Sequence, residues 1–136
     1  MPCVIRRYNP CLPAGRLIAP KKKEVSMSEC IFCTNLPKVL DNNLAYAIYD
    51  IKPFSKGHML FIPKRHCEQL FQATLDEIRA LYSLINKAKV LLDTEHHPDG
   101  YNLLVNSGSV AGQVVMHAHI HLIPRYKDAE FKSPLH

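Results

Sequence analysis

Three histidines, His117, His119 and His121, alternate with apolar residues near the end of the chain. Successive side chains of a β-strand point to opposite faces of its sheet, so the alternation places all three imidazoles on one face. The apolar residues that alternate with them, Ala118, Ile120 and Leu122, fall on the opposite face. We therefore predict a strand over residues 114–123, with one face packed in a core and the other available for chemistry.

Imidazole is a nucleophile, a proton carrier near neutral pH and a metal ligand. Solvated surface histidines and a structural metal site are the two alternatives to a catalytic face. Catalysis is favoured, because a neutral imidazole attacks phosphorus without first losing a proton and forms a covalent intermediate that divides one displacement into two easier steps. The neighbouring imidazoles can then orient the nucleophile and stabilise or protonate oxygens.

The length and composition indicate one globular domain: 136 residues, 47% hydrophobic and 21% charged. No run approaches the ~20 apolar residues of a membrane span, and no secretory signal is apparent. We therefore expect a cytoplasmic protein that does not associate with membranes. The net charge of +5 belongs to residues 1–26, which hold six Lys or Arg and one Glu, so the remainder offers no electrostatic reason to expect nucleic-acid binding.

Residues 1–26 contain four prolines, a run of three lysines and no hydrophobic periodicity. We expect this leader to be disordered or to result from an upstream start, because Met27 would open a complete domain over 27–136. An organellar presequence and a nucleic-acid-binding arm are the less favoured alternatives.

Apolar runs and turn residues predict strands at 44–51, 58–62 and 101–106 in addition to 114–123. Thr74 and Glu77 form a capping box at the start of an amphipathic helix over 75–93. The order of these elements indicates an α+β fold with an antiparallel sheet.

The loop 107–113 connects the last two predicted strands and leads directly to the histidines. Gly108 and Gly112 permit backbone conformations in which consecutive N–H groups converge on an anion. A plain hairpin loop is the alternative, and the position beside three histidines favours phosphate binding.

The spacing Cys30-x-x-Cys33 is typical of half a zinc site or of a redox pair. Five cysteines without a secretory signal favour reduced thiols or metal binding over a disulfide framework. Zinc would need two further ligands, for which His58, His66 and one histidine of the triad are candidates. Spacing alone leaves structural zinc open.

Together these segments resemble the histidine triad (HIT) superfamily of nucleotide hydrolases and transferases. The resemblance implies an antiparallel sheet of about five strands with one long and one short helix. It also implies a homodimer joined through the helix and the sheet edges into a continuous sheet. The matching pieces lie in order within 28–127 and are Cys-Ile-Phe-Cys (30–33), Asp-Ile-Lys-Pro (50–53), Lys-Gly-His-Met-Leu-Phe-Ile-Pro-Lys (56–64), Asn106, Ala-Gly-Gln (111–113) and His-Ala-His-Ile-His-Leu-Ile-Pro-Arg (117–125).

The resemblance implies an enzyme that attacks the α-phosphorus of purine nucleoside phosphates, with dinucleoside polyphosphates or nucleoside phosphoramidates as substrates. His119 would be the nucleophile, His121 would contact the phosphate oxygens or the leaving group, and His117 would position His119. His58 matches a supporting histidine behind the triad. A nucleotide-binding regulatory or scaffold protein with incidental hydrolysis, and a hydrolase that binds catalytic zinc on the triad face, are the alternatives.

The resemblance also implies the nucleotide contacts. One of these positions departs from the family pattern. Several members have Ser or Thr where this chain has Val114, and valine offers the backbone N–H but no hydroxyl. His121 or water must then protonate the leaving group. The matched positions are Asp50 and Ile51 for ribose and base, Ile31 and Phe32 near the base, and Asn106, Gly112, Gln113 and Val114 on the phosphate side.

Bacterial-type members that resemble this chain carry zinc at the positions of Cys30, Cys33, His66 and His117. Zinc would be a structural cofactor here. A metal-bound imidazole at His117 is rigid, so the ion could order the active-site strand without taking part in the chemistry.

Overall fold

The computed structural model describes residues 29–133, so the predicted leader 1–26 lies outside the described residues. Five antiparallel strands form one sheet in the order β1-β2-β3-β5-β4, which confirms the predicted α+β fold. The elements are β1 (Leu40–Asp41), β2 (Ala45–Tyr49), β3 (Met59–Pro63), the helix α1 (Leu75–His96), β4 (Gly100–Leu104) and β5 (Ile120–Arg125).

A second, short α-helix was expected and is not present among residues 29–133. Three turns of 3-10 helix, each of three residues, take its place. They are Ile31–Cys33, Leu70–Gln72 and Ser109–Ala111.

The helix α1 begins at the predicted capping box: the Thr74 hydroxyl accepts from the Glu77 N–H, and the Glu77 carboxylate accepts from the Thr74 N–H. It ends at His96, three residues beyond the prediction. It packs against β1, β2 and β3, and Tyr101 of β4 donates to Asp93 of the helix at 2.7 Å. Tyr82, predicted to lie on the buried stripe, is exposed. No helix among the described residues is long and apolar enough to cross a membrane.

The sheet separates two apolar clusters. Met59 and Phe61 point towards α1, while Leu60 and Ile62 point into a cluster on the opposite face. Alternation along a strand produces this division. Since β3 is buried on both faces, it can hold chemistry on one face while the other anchors it to the helix.

The predicted strand over 114–123 is wrong in its first six residues, because regular pairing with β3 begins only at Ile120. Residues 115–117 form a bend, and the Ala118 N–H donates to the Cys67 carbonyl at 2.7 Å instead of continuing the ladder. Val115, two residues before His117, packs in the cluster opposite α1 and not in the helix-side row of Ile120 and Leu122. His121, paired with Leu60, keeps the predicted face.

Candidate active site and metal centre

A pocket of about 730 Å³ opens on the sheet face opposite α1. His119 and His121 both line it, so the predicted shared face exists for these two residues. His117 and His58 lie behind its wall and are fully buried. The other predicted site residues in the wall are Ile31, Phe32, Asp50, Ile51, Asn106, Gly112 and Val114.

The His119 ring has one nitrogen fixed and one free for chemistry. Its Nδ1 lies 2.8 Å from the His117 carbonyl, which can only accept, so Nδ1 carries the proton. The Nε2 atom therefore carries a lone pair. Burial lowers the pKa of His119, against the opposing effects of the bond to His117 and the charge of Asp50, and so favours the neutral ring. A neutral imidazole with a free Nε2 is a competent nucleophile.

A chain of hydrogen bonds fixes the tautomers of His58 and His121. The Phe54 N–H donates to His58 Nδ1 at 3.1 Å, so the His58 proton is on Nε2. That N–H donates to His121 Nδ1 at 2.9 Å, which leaves the His121 proton on Nε2. His121 thus offers a single N–H donor for an oxygen of a bound phosphate. The carboxylate of Asp50 lies 3.5 Å from His58 Nε2.

Asp50, His58 and His121 also have the donor set of a cation site, since their ligand atoms lie within 4.8 Å of one another. The Phe54 N–H argues against this use. To bind a cation, His58 Nε2 would have to give up its proton, and moving that proton to Nδ1 would place it against the Phe54 donor. We therefore interpret the cluster as a hydrogen-bonded chain.

The predicted zinc ligands converge behind the triad. The Cys33 sulfur lies 3.2 Å from His66 Nδ1 and 3.5 Å from His117 Nδ1, and the Cys30 sulfur lies 3.4 Å from His117 Nδ1. His117 Nε2 lies 2.8 Å from the Pro63 carbonyl and must donate to it, so Nδ1 has its lone pair directed at the two sulfurs. Two sulfurs and two imidazole nitrogens are a donor set that suits zinc.

The electrostatics of the two thiols also fit a cation. Burial, followed by the hydrogen bond and charge of Cys30, raises the pKa of Cys33 to about 11. The Cys33 thiol therefore resists ionisation until a positive charge stabilises its thiolate. Burial lowers the pKa of His117, which keeps this ring neutral and available as a ligand.

The phosphate-side loop is held by its own hydrogen bonds. Gly108 and Gly112 have φ of 91° and 94°, as their predicted role in the turn requires. The N–H groups of Gly108 and Gly112 are bonded within the loop and do not converge on an open site. The Gln113 side chain lies outside the pocket, where it accepts from Gly108 and donates to the carbonyls of Glu68 and Val115. Its nucleotide contact stays a prediction, while its observed role is to hold the loop.

Sequence reasoning missed about half of the pocket wall. The same-face alternation of β2 and β3 could have identified Ile48 and Leu60. No sequence signal marks residues 36–39, which reach the pocket from the segment after the cysteines. The additional lining residues are Leu36, Pro37, Lys38, Val39, Ile48, Tyr49, Lys52, Phe54, Leu60, Leu104 and Val115.

Stability is expected to fall between pH 6.5 and about 4 because His121 is buried as a neutral ring. Burial, followed by the charges of His119 and His58, lowers its pKa from 6.5 to about 4, against the opposing charge of Asp50. The unfolded chain then binds this proton more readily than the folded chain. The contribution of neutral His121 to the free energy of unfolding is complete above pH 6.5 and is lost as the pH falls through this window. A shift of this size corresponds to on the order of 3 kcal/mol.

Urea unfolding at several pH values, with the wild type and His121→Asn, measures this effect. The variant lacks the depressed imidazole, so its free energy of unfolding should depend less steeply on pH over this window. Parallel curves for the two proteins would contradict the assignment. Groups that do not contact His121, including the Cys/His cluster, cancel in the comparison.

Comparison with known proteins finds a match to the HIT domain model over residues 35–128. An adenosine 5'-monophosphoramidase, HNT1 of Candida albicans, is 38% identical over 114 residues, covering 76% of this chain and 75% of the relative. The adenylylsulfatase HINT3 of Arabidopsis thaliana is 35% identical over 104 residues, covering 72% of this chain and 53% of the relative.

Among solved structures, a Zn-bound histidine triad family protein from Mycobacterium smegmatis superposes with a TM-score of 0.71 at 26% identity. The superposition covers 78% of this chain and 81% of that one. The fold shared with that protein therefore includes most of the described chain. That protein is Zn-bound, which makes the Cys/His cluster of this chain a candidate metal site.

Proposed function

Because the chain belongs to the HIT domain family, we propose that it is a purine nucleotide hydrolase or transferase that cleaves at the α-phosphate through a nucleotidyl-histidine intermediate. The observation that carries this proposal is His119, whose free Nε2 is held at a pocket wall by the bond from Nδ1 to the His117 carbonyl. The monophosphoramidase and adenylylsulfatase relatives support nucleotide hydrolysis, with phosphoramidates and dinucleoside polyphosphates as substrates to test.

In the proposed reaction, the lone pair of His119 Nε2 attacks the α-phosphorus and forms an N–P bond. The bond from phosphorus to the leaving group breaks, and its electron pair departs with that group. Water then attacks phosphorus, the N–P bond breaks, and its electron pair returns to Nε2. A nucleoside monophosphate and one proton are released, and covalent catalysis divides the displacement into two steps.

The neighbouring residues supply orientation and charge stabilisation. The His121 Nε2–H faces the pocket as a donor for a phosphate oxygen, with His58 fixing its ring from behind. Asp50 and Ile51 would contact the ribose and base, Ile31 and Phe32 would lie near the base, and Asn106, Gly112 and Val114 would contact the phosphate. Gln113 would act indirectly, because its side-chain hydrogen bonds hold the phosphate-side loop in place. Donors fixed before the reaction stabilise developing charge without reorganising.

We propose that Cys30, Cys33, His66 and His117 hold a structural zinc ion. Zinc would neutralise the two thiolates and immobilise the His117 ring. The His117 carbonyl is the acceptor for His119 Nδ1, so ordering this residue also orders the nucleophile.

Intact-mass analysis after rapid mixing with an adenosine phosphoramidate tests the proposal. A species heavier by one nucleotidyl group is expected, decaying as free nucleotide appears. Tight binding of nucleoside monophosphate with neither adduct nor turnover for any substrate would favour the regulatory or scaffold alternative.

We further propose a homodimer that pairs the two β4 edges. β4 is an edge strand, and Leu103 lies opposite the core residue Leu122, so its side chain points to the helix side of the sheet. The Leu103 side chain is nevertheless 58% exposed, and Tyr82 and Val90 on α1 are exposed to a similar extent. A second copy would cover this strip of three exposed apolar side chains. Pairing of the two β4 strands would continue the sheet and remove an exposed strand edge.

Leu103→Glu is expected to convert the dimer to a monomer, because a charge at the centre of an apolar interface is strongly unfavourable. Light scattering after size exclusion should report twice the chain mass for the wild type and a single chain mass for the variant. Phe71→Glu is the matched control, since Phe71 is also exposed but lies on a 3-10 turn outside this strip. A monomeric wild type, or an unaffected Leu103→Glu, would refute the interface.

A further inference from the structure

Glu77 lies on α1, which packs on the sheet face opposite the pocket, yet its hydrogen bonds lead to the nucleophile. We propose that Glu77 is a positioning residue for His119, which it reaches through Arg65 and the segment 63–69. This segment connects β3 to the 3-10 turn that precedes α1. The inference rests on the proposed attack by His119 and adds a residue that keeps this ring ready to react.

The Glu77 carboxylate does more than cap its own helix. Glutamate is rarely buried unless it is paired, and Glu77 is 4% exposed. Its Oε1 accepts three hydrogen bonds, from the Thr74 N–H at 3.1 Å, from Arg65 Nε at 3.1 Å and from Arg65 Nη2 at 2.9 Å. Burial acts to raise the pKa of Glu77, but the bonds from Arg65 and Thr74 outweigh it and keep the carboxylate charged.

This arrangement is not optimal for stability. Glu77 Oε2 has no hydrogen-bond partner among residues 29–133, and a buried oxygen without a partner costs free energy. Removing charges from water also offsets much of the attraction within a buried ion pair. The effect of the pair with Arg65 is therefore expected in the geometry that it fixes.

Arg65 fastens the segment 63–69 to the start of α1. Besides its two bonds to Glu77, the guanidinium donates from Nη2 to the Gln72 carbonyl at 2.8 Å. The planar fork of a guanidinium makes such bonds directional, so they fix orientation as well as distance. Arg65 is exposed, and its head group closes over the buried carboxylate from the solvent side.

The residues on either side of Arg65 hold His117. The Pro63 carbonyl accepts from His117 Nε2 at 2.8 Å, and the Cys67 carbonyl accepts from the Ala118 N–H at 2.7 Å. Cys67 and Ala118 are both buried, so solvent does not compete for this second bond. The position of Arg65 therefore determines where these two carbonyls lie.

The Cys67 bond acts on the peptide group between His117 and Ala118. The peptide groups of the described residues are trans, and in a planar trans peptide the N–H and the C=O point in opposite directions. Cys67 binds the N–H, while the His117 carbonyl of the same group accepts from His119 Nδ1 at 2.8 Å. Fixing one end of this group fixes the other, and with it the tautomer that leaves Nε2 of His119 free.

The phosphate-side loop has anchors that do not depend on Arg65. The Glu68 carbonyl accepts from Gln113 Nε2 at 2.6 Å, and this bond would follow a shift of the segment 63–69. Gln113 also donates to the Val115 carbonyl at 2.9 Å and accepts from the Gly108 N–H at 2.8 Å. A shift of the segment should therefore disturb the nucleophile more than it disturbs nucleotide binding.

Single-turnover formation of the His119 adduct in Glu77→Gln and in Arg65→Gln tests this inference. Each variant should slow adduct formation at least about tenfold, as for other misplacements that begin far from the reacting atoms. The Kd of a nucleoside monophosphate should change less than about twofold, because binding and chemistry are separable. The double variant should be no slower than the slower single variant, since both substitutions break one link. Thr74→Ala is the matched control: it removes the capping hydroxyl, leaves the bonds between Arg65 and Glu77, and should keep the wild-type rate.

Nitrogen-15 NMR of the imidazoles supplies a readout that lost stability alone would not move. The His119 signals are identified by their absence in His119→Asn. The wild type should show a protonated Nδ1 and an unprotonated Nε2, whereas Glu77→Gln and Arg65→Gln should show both tautomers of the neutral ring.

Three results would overturn the inference and leave the proposed function intact. The first is a wild-type rate and a single tautomer in both Glu77→Gln and Arg65→Gln. The second is a rate in Thr74→Ala as low as that in Glu77→Gln, which would reduce the effect to helix capping. The third is a lower zinc content per chain in the two variants, because the effect would then pass through His66. No adduct in the wild type would overturn the proposed function and the inference with it.

Discussion

Replacing His119 with asparagine is expected to lower kcat/KM by at least about 10⁴-fold and to abolish the covalent adduct. The expected size follows from the loss of the only atom that forms the covalent bond, as for other enzymes that lose their nucleophile. The remaining donors would still bind the phosphate, so nucleotide affinity should change far less than turnover. Initial rates, calorimetric binding of a nucleoside monophosphate and intact mass measure the three quantities on the same protein.

His97→Asn is a matched control for the loss of an imidazole. His97 lies at the C-cap of α1 with φ of 49°, a conformation that asparagine accepts readily, and its side chain is exposed away from the pocket. This variant should keep wild-type rates. Turnover retained in His119→Asn would contradict covalent catalysis by this residue. An adduct retained in that variant would place the nucleophile on another side chain.

The alternating histidines predicted the location of the site but not the geometry of its first residue. Alternation correctly placed His119 and His121 on a common face of the sheet, since the two residues flank Ile120 at the start of β5 and both line the pocket. It could not predict the bend at residues 115–117. That bend depends on bonds to Cys67 and Pro63, which are distant in sequence.

The division of roles among the histidines depends on backbone groups that a sequence does not reveal. The carbonyls of Pro63 and His117 and the N–H of Phe54 determine which nitrogen of each ring carries the proton. A sequence lists only side chains, and any residue type except proline would supply the same N–H. Gln113 shows the same limit: its position in the motif predicted a ligand contact, whereas its side chain holds the loop.

The Cys/His cluster was more accessible to sequence reasoning than the short 3-10 turns around it. Cysteines at i and i+3 bring two sulfurs together through one local turn, here the 3-10 turn Ile31–Cys33. The two histidines could be chosen only by resemblance, since His58 was an equal candidate by spacing. His58 lies instead on the other side of the triad, bonded to His121.

Cys33→Ser is expected to lose the zinc ion and to lower stability far more than it lowers the chemical rate. A metal present at about a thousand times its Kd stabilises the folded state by about 4 kcal/mol. Its loss should lower Tm by on the order of 15 °C for a domain of this size. At a temperature where the variant is folded, adduct formation on His119 should slow by only about tenfold, because the ion orders His117 without touching the substrate.

Cys67→Ala provides the control for losing a buried cysteine. Cys67 is buried next to the proposed ligand His66 but its sulfur is not part of the Cys/His cluster, so the variant should keep one zinc per chain. Metal content by elemental analysis and thermal unfolding with and without added zinc complete the comparison. Full zinc occupancy in Cys33→Ser would refute the ligand assignment. Immediate loss of adduct formation on chelation, in a chain that remains folded, would instead place zinc in the chemistry. That result would favour the metal-dependent alternative over His119 as the sole agent of phosphorus attack.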